Sequence, residues 1–358
     1  MSIKQYNRAR QVDLGRRIMG RHKVYLDACF WIVLRDTELG VRTGAPERKL
    51  LHFLMRGVRA GKLICPISAS MFLELIKQPF TATRRRATAQ MIDELSLGVT
   101  VVNPEVLRRT EIHRFLLKAK GETRLFSMQE LIWTKVAYVL GEHYPEIPGL
   151  NPEAQLELQR KLYDHLWEQP LAAIVDAIGD TGSQGDGFRR LSSETNDQNQ
   201  KHRDELKSFE GTYDIELRGA IELAAEAVAD VLAEMASKEA GRPLQGTPED
   251  RAAVVKVGQN LLYQAMKKPE HRSELRSLHV EAAIHASMRW DKERKFKPND
   301  YFDFQHAAVA LSYCDTFLAE VPLHVLVTRP QVSLERVNDC EVISGIGKAA
   351  DYIRKLVS

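Results

Sequence analysis

Short apolar runs of strand type alternate with helical patterns in the first third of the sequence, and this alternation limits the fold more than any other feature. Strands are predicted over 24–28, 63–68 and 98–104, and each is followed by apolar residues at helical spacing. Strands that alternate with helices form βαβ units, whose strands lie parallel in one sheet. The first part of the chain therefore predicts an α/β fold.

The same pattern returns in the last part of the sequence. A helix is predicted over 299–314, followed by strands over 316–321 and 324–328, and a further helix is predicted over 345–357. These elements would complete the sheet that the first part begins. The simplest interpretation is one α/β domain whose two parts are separated by an insertion.

The insertion has no convincing strand between 127 and about 295. Its segments are separated by stretches rich in Pro and Gly, which interrupt helices. Helices are predicted over 127–142, 152–178, 187–209, 212–240, 248–267 and 271–294. The sequence therefore predicts a small, mainly parallel sheet flanked by helices and interrupted by a large all-helical insertion. The predicted division is a first α/β part at 1–121, the insertion at 122–297 and a second α/β part at 298–358.

The composition gives no indication of a membrane segment, an export signal or a disulfide framework. The net charge is +3, and no apolar stretch approaches the roughly 20 residues of a membrane helix. The first residues lack the apolar core of a signal peptide. The four cysteines lie far apart without metal-binding spacing, so reduced thiols are expected. The expectation is a cytoplasmic protein without membrane association.

Carboxylates follow the predicted strands at several points. Asp27 ends the first strand in KVYLDACFW, and Glu74 lies early in the helix after the second strand. Asp303 lies at the start of the 299–314 helix, and Asp315 follows that helix at the mouth of the next strand. The edge of an open α/β sheet is where ligands bind, and Mg²⁺ takes oxygen ligands. Carboxylates that converge at this edge would therefore suit Mg²⁺.

Each of these polar residues also has a structural interpretation. Asp27 could cap the helix that follows it, and Glu74 could lie on a solvated helix face. Asp300 fits the N-cap of the 301–314 helix. His306 could orient a ligating carboxylate by a hydrogen bond, or it could be a satisfied buried histidine. The sequence leaves both interpretations of His306 open.

The order of these motifs resembles that of the PIN-domain nucleases. The motifs are VYLDA, then ICPISASMFLEL, then N-D-Y-F-D-F-Q-H from Asn299, then Y-C-D-T-F-L-A from Tyr313. They are most similar to the larger PIN-like subfamilies, which have an N-D-x-x-D-x-x-H helix and a Y-x-D-x-F strand. The resemblance covers about 23–105 and 298–358, roughly half of the chain.

The resemblance implies a small parallel sheet whose acidic residues converge on Mg²⁺ or Mn²⁺ and hydrolyse phosphodiester bonds, usually in RNA. Carried over by motif, Asp27 is the ligand after strand one, Glu74 the second acid, Asp303 the third and Asp315 the fourth. These four residues are the predicted catalytic and metal-binding set. Asp300, His306 and Glu320 are predicted to support them.

The sequence departs from the family pattern at Ala319. Family members have Thr or Ser there, which helps to position the attacking water, whereas this chain reads FLAE. Glu320 could supply a substitute ligand. Thr328 offers another hydroxyl, but only if Asp315 is the third acid. FLAE is preferred because the spacing from Asp303 to Ala319 matches the family.

A basic segment at the end of the insertion leads directly into the 299–314 helix. Lys and Arg side chains bind phosphates without reading sequence, so this segment predicts a contact with the nucleic-acid backbone. Its residues are Arg289, Lys292, Arg294, Lys295 and Lys297. The rest of the insertion could bind a protein partner or a second copy of the chain.

Two functions follow as expectations. The first is a metal-dependent endoribonuclease that acts alone or as a toxin or defence effector. The alternative is a catalytically idle PIN-like scaffold that binds RNA or a protein partner through its helical insertion. Ala319 favours the alternative, and the four acids favour the nuclease.

Overall fold

A small parallel sheet lies within a mostly helical molecule. The computed structural model describes residues 1–77, 81–179, 185–242 and 246–358. The strands are β1 (His22–Leu26), β2 (Leu63–Ile64), β3 (Val99–Val101), β4 (Trp133–Lys135), β5 (Thr316–Leu318) and β6 (Glu341–Ile343). The predicted α/β class, with a mainly parallel sheet flanked by helices, is confirmed.

Helices surround this sheet in both parts of the chain. In the α/β parts they are α1 (Ile3–Ile18), α2 (Ala28–Glu38), α3 (Ala45–Arg59), α4 (Ala69–Lys77), α5 (Ala82–Ser96), α6 (Pro104–Ala119), α16 (Asp300–Tyr313), α17 (Val321–Val327) and α18 (Ile346–Val357). Between them lie α7 (Met128–Leu131), α8 (Pro152–Trp167), α9 (Leu171–Ile178), α10 (Gly185–Lys201), α11 (Phe209–Leu223), α12 (Ala225–Ala240), α13 (Pro248–Met266), α14 (Pro269–Arg272) and α15 (Arg276–Trp290). None of the helices in the described residues has the length and apolar character of a membrane span.

The order of the sheet is β2-β1-β5-β6, and every neighbouring pair is parallel. β3 and β4 form a separate antiparallel pair, which a parallel bridge between Ile67 and Thr100 joins to the chain just after β2. The chain leaves β1 towards β2, and the later strands lie on the other side of β1. The direction of winding therefore reverses between β1 and β5, and such a switch point opens a crevice at the carboxyl ends of the strands.

Apolar side chains bury β1 on both of its faces. Val24 and Leu26 belong to one core cluster, whereas Tyr25 belongs to the other, as the alternation of side chains along a strand requires. The cluster around Tyr25 continues through Phe317 into the helical region, where it includes Tyr213. The helical region therefore packs directly on one face of the sheet.

Two predicted elements are wrong: the strand over 324–328 and the helix over 127–142. Residues 324–327 are helical and Thr328 caps that helix, because Pro322 favours a helix start and the buried side chains of Leu323, Leu326 and Val327 follow helical spacing. The last strand is instead β6. Within the insertion, the helix predicted over 127–142 is replaced by α7 and β4, whose Trp133 pairs with Val101 of β3.

The cysteines agree with the expectation of free thiols. Cys65, Cys314 and Cys340 are buried, and all four cysteines are unpaired with one another. Cys29 differs from the other three because it is partly exposed, at the start of α2.

Candidate active site

A cleft of about 1000 Å³ opens at the carboxyl ends of β1 and β5. We call it the acidic cleft, after the carboxylates that line it. These are Asp27, Glu74, Glu293, Asp300, Asp303 and Glu320. Basic side chains also line it, namely Lys77, Arg294, Lys295 and Lys297. The cleft therefore combines acidic side chains at the switch point with basic side chains in the same lining.

Asp27 is both a helix cap and a member of the cleft. Its Oδ1 accepts a hydrogen bond of 2.7 Å from the amide of Ala28 at the start of α2. Its Oδ2 accepts one of 3.3 Å from the amide of Glu320. Only 4% of Asp27 is exposed, and burial raises the pKa of its carboxyl. Asp27 therefore caps α2 and lines the cleft at the same time.

Glu320 follows β5 as Asp27 follows β1. Leu26 of β1 lies opposite Leu318 of β5, so both acids emerge from neighbouring strands at the same edge. One ligand atom each from Asp27, Cys29 and Glu320 lies within 4.8 Å of the other two. This spacing brings Glu320, rather than Asp315, next to Asp27.

The expectation for Asp315 is corrected by the register of the sheet. Asp315 precedes β5, and its Oδ2 accepts a 2.7 Å hydrogen bond from the amide of Lys23 at the start of β1. Lys23 lies four residues before Asp27, or ~13 Å along an extended strand. Because the strands are parallel, the amino end of β5 lies at the edge opposite the cleft. Asp315 therefore holds the sheet register and does not line the cleft.

Glu74 reaches the cleft from α4 and is paired with a buried histidine of α16. Its Oε2 lies 2.7 Å from Nε2 of His306, whose ring is fully buried. The other ring nitrogen of His306 lies 2.6 Å from the hydroxyl of Tyr25 and 3.2 Å from that of Ser70. Burial alone would lower the pKa of His306, but the bond to Glu74 and the nearby carboxylates raise it. His306 thus orients Glu74, which was one of its two predicted roles.

Asp303 enters the cleft from the first turn of α16. Burial, followed by the neighbouring charge of Asp27, raises the pKa of its carboxyl to about 8. The nearby charge of Glu74 acts in the same direction. The charges of Asp27 and Glu74 therefore disfavour the charged form of Asp303, which a bound divalent cation would relieve. Within the described residues, Glu74 and Asp303 do not join the tighter group around Asp27 and Glu320.

The predicted basic segment divides into two parts. Arg294, Lys295 and Lys297 line the cleft, whereas Arg289 forms an ion pair with Glu216 and Lys292 is exposed away from the cleft lining. The positions of Arg289 and Lys292 therefore do not support the phosphate contacts predicted for them.

Two side chains hold the loop before α16. Asp300 accepts a 2.7 Å hydrogen bond from the amide of Lys297, and its other oxygen lies 3.4 Å from Arg294. The amide group of Asn196 in α10 accepts from the backbone N–H of Phe296 and donates to its carbonyl. Asp300 therefore shapes the basic loop, although the expected N-cap position belongs to Asn299.

Neither of the two positions considered for a hydroxyl provides one in the cleft. Ala319 is fully buried, directly before Glu320. Thr328 donates its hydroxyl to the carbonyl of His324 at the end of α17. The departure from the PIN pattern at Ala319 is therefore not compensated by Thr328.

The donor set fits a divalent cation. Asp27 and Glu320 supply carboxylate oxygens, which Mg²⁺ and Mn²⁺ prefer, and Glu74 and Asp303 are close enough to shape the same cleft. Sequence reasoning missed several members of the cleft lining, among them Cys29, Lys77 and Glu293. The signal for Cys29 was its place two residues after Asp27, in the first turn of α2.

Comparisons with known proteins identify no family. No protein-family model matches the chain, and neither the curated proteins nor the solved structures include one that is significantly similar to it.

Proposed function

We propose that this protein is a metal-dependent endoribonuclease that hydrolyses phosphodiester bonds in the acidic cleft. The observation that carries the proposal is the meeting of Asp27 and Glu320 across the β1–β5 switch point, with Glu74 and Asp303 in the same cleft. Carboxylates gathered at such a crevice are the usual means of holding a catalytic Mg²⁺ or Mn²⁺. RNA as the substrate follows from the PIN resemblance.

The acidic residues have distinct parts in this proposal. Asp27 and Glu320 would hold the cation, which when bound polarises a phosphoryl oxygen and activates water. Glu74, oriented by His306, would accept hydrogen bonds from water at the cation. Asp303 would complete the anionic wall from α16. Mg²⁺ keeps several waters, so the last two acids need not touch it.

The cations at the edge of the cleft would bind the substrate. Lys295 and Lys297 are exposed, and Arg294 is held by Asp300 beside the acidic group. Such side chains neutralise phosphates and fix the register of the backbone without reading its bases. Lys77 lies on the opposite element, α4, with its ammonium 4.3 Å from the ring centre of Phe302. The RNA strand would therefore lie between α4 and the 294–297 loop.

Ala319 supports a second candidate, a scaffold that binds RNA without cutting it. Its methyl group is buried at the position where the family has a hydroxyl for the attacking water. Asp27, Glu74, Asp303 and Glu320 favour the nuclease, since an idle scaffold has no need to keep these acids together in one cleft.

A cleavage assay separates these two candidates. RNA and single-stranded DNA labelled at one end are incubated with the wild type in Mn²⁺, in Mg²⁺ and in a chelator. The proposal expects internal cleavage of RNA with either metal and none with the chelator. RNA that is bound but not cut under every condition would favour the scaffold, and cleavage that persists in the chelator would contradict metal dependence.

A further inference from the structure

Cys29 is the one cysteine that reaches the acidic cleft within the described residues. It lies in the first turn of α2, two residues after Asp27, and it is partly exposed there. Its sulfur lies within 4.8 Å of a carboxylate oxygen of Glu320. Cys65, Cys314 and Cys340 are buried and do not line the cleft. The position of Cys29 therefore sets its sulfur apart from the other three.

The sulfur of Cys29 belongs to a compact group of metal-binding atoms. It and one oxygen each of Asp27 and Glu320 lie within 4.8 Å of one another. Three ligands of a tetrahedral zinc ion lie roughly 3.5 Å apart, given the usual Zn–O and Zn–S distances. The three side chains would reach that spacing by approaching by about 1 Å. Among the described residues, no other group of three acidic, His or Cys side chains meets the same condition.

We propose that Cys29 is a third protein ligand of the cation held by Asp27 and Glu320, so that the acidic cleft takes a thiophilic divalent cation such as Zn²⁺ in preference to Mg²⁺. Carboxylates alone suit Mg²⁺, but a thiolate selects softer metals. Three protein ligands and one open position are the arrangement of catalytic zinc sites. On binding, the S–H bond breaks, the sulfur–metal bond forms, and the proton is released to solvent.

The location of this site gives its sulfur a route to solvent and to substrate. Glu320 is exposed and Asp27 is buried, so the group lies at the floor of an open cleft rather than in the core. The inference rests on the metal position of the proposed function, but its test measures metal binding without RNA, so the two can fail separately.

The experiment is a titration with Cd²⁺, which reports a bound thiolate by its sulfur-to-metal charge-transfer absorbance. The wild type, Cys29→Ala and Cys340→Ala are titrated in excess Mg²⁺. We expect the band in the wild type and in Cys340→Ala, whose replaced thiol is buried outside the cleft. We expect no band in Cys29→Ala. Its affinity for Cd²⁺ should also fall, by at least the ~10–100-fold that follows the loss of a residue that only orients a metal ligand. Far-ultraviolet circular dichroism verifies that each variant is folded.

A second variant makes the test independent of the loss of a side chain. Cys29→Asp replaces the thiolate by a carboxylate, and it should bind Mg²⁺ more tightly than the wild type while giving no thiolate band. A band that persists in Cys29→Ala, or Cd²⁺ binding to the wild type without a band, would overturn the proposal. A wild type that cleaves RNA in Mg²⁺ but gives no thiolate band would refute the role of Cys29 alone. A thiolate band through Cys29 without any cleavage would refute the nuclease alone.

Discussion

His306 Nε2 lies 2.7 Å from Glu74 Oε2, and this contact joins α16 to α4 directly below the acidic cleft. On the other side of the ring, Nδ1 contacts the hydroxyls of Tyr25 and Ser70, and Ser68 extends the network with a 2.6 Å bond to Tyr25. The ring thus connects a central strand to a cleft residue through buried polar atoms. Such networks hold side chains in one orientation when every member has a partner.

Replacing His306 by alanine should destabilise the fold. The change leaves Glu74, Tyr25 and Ser70 without their shared partner in a buried site, and we expect a loss of about 3 kcal/mol in the free energy of unfolding. Urea denaturation measures it. His52→Ala, at an exposed position of α3, serves as the control and should change stability little. Equal stability of both variants would show that the network contributes nothing.

Stability should also depend on pH through Glu111, which is fully buried and does not line the cleft. Its carboxylate accepts bonds from the amide and hydroxyl of Ser277 and from the hydroxyl of Tyr313. Burial raises the pKa of Glu111 from 4.5 to about 7. Between these values the folded protein holds a proton that the unfolded chain has lost, so stability falls as the pH rises. The loss amounts to about 3 kcal/mol.

Glu111→Gln tests this dependence because its side chain cannot titrate. The free energy of unfolding of the variant minus that of the wild type should increase by about 3 kcal/mol from pH 4.5 to pH 8. Urea denaturation at several pH values gives the difference. Glu105→Gln, at an exposed position of the same helix, should give a flat difference. If the difference in unfolding free energy for Glu111→Gln were also independent of pH, the Glu111 carboxyl would have the same pKa in the folded and unfolded protein, which would contradict the prediction.

Charge on the loop before α16 should control RNA binding. Lys295 and Lys297 line the cleft, and Lys292 is equally exposed in the same segment but lies outside it. The double variant Lys295→Ala/Lys297→Ala should bind RNA more weakly. The slope of log binding constant against log salt concentration should become shallower by the amount expected for about two phosphate contacts. Lys292→Ala removes a charge of the same kind and should have little effect. Fluorescence anisotropy at several salt concentrations measures both. An equal loss in the two proteins would indicate attraction by net charge alone.

Much of the sheet could be predicted from the sequence because its strands are buried on both faces. VYL in β1 and FLA at the end of β5 are continuous apolar runs between polar residues, and such runs fit few other structures. HVLVT has equal strand propensity, but Pro322 and the packing of α17 decide for a helix. Local propensity alone therefore could not distinguish β5 from α17.

The sequence indicates which acids lie at the ends of strands, but not which of those ends share an edge of the sheet. Asp27 follows β1 and was correctly assigned to the carboxyl edge of the sheet. Asp315 and Glu320 flank the same short strand, β5, and which of them shares an edge with Asp27 depends on strand direction and register. These are tertiary properties that spacing in the sequence does not contain. The membership of Cys29 depends in the same way on how α2 leaves β1.

The most direct measurement compares metal-dependent RNA cleavage by Asp27→Asn and Asp315→Asn. Both variants remove one carboxylate charge from a strand end, and asparagine at 315 can still accept the bond from the Lys23 amide. If the acidic cleft is the active site, cleavage in Mn²⁺ is lost in Asp27→Asn and retained in Asp315→Asn. Cleavage that survives in Asp27→Asn, or that is lost only in Asp315→Asn, would contradict the assignment of the cleft.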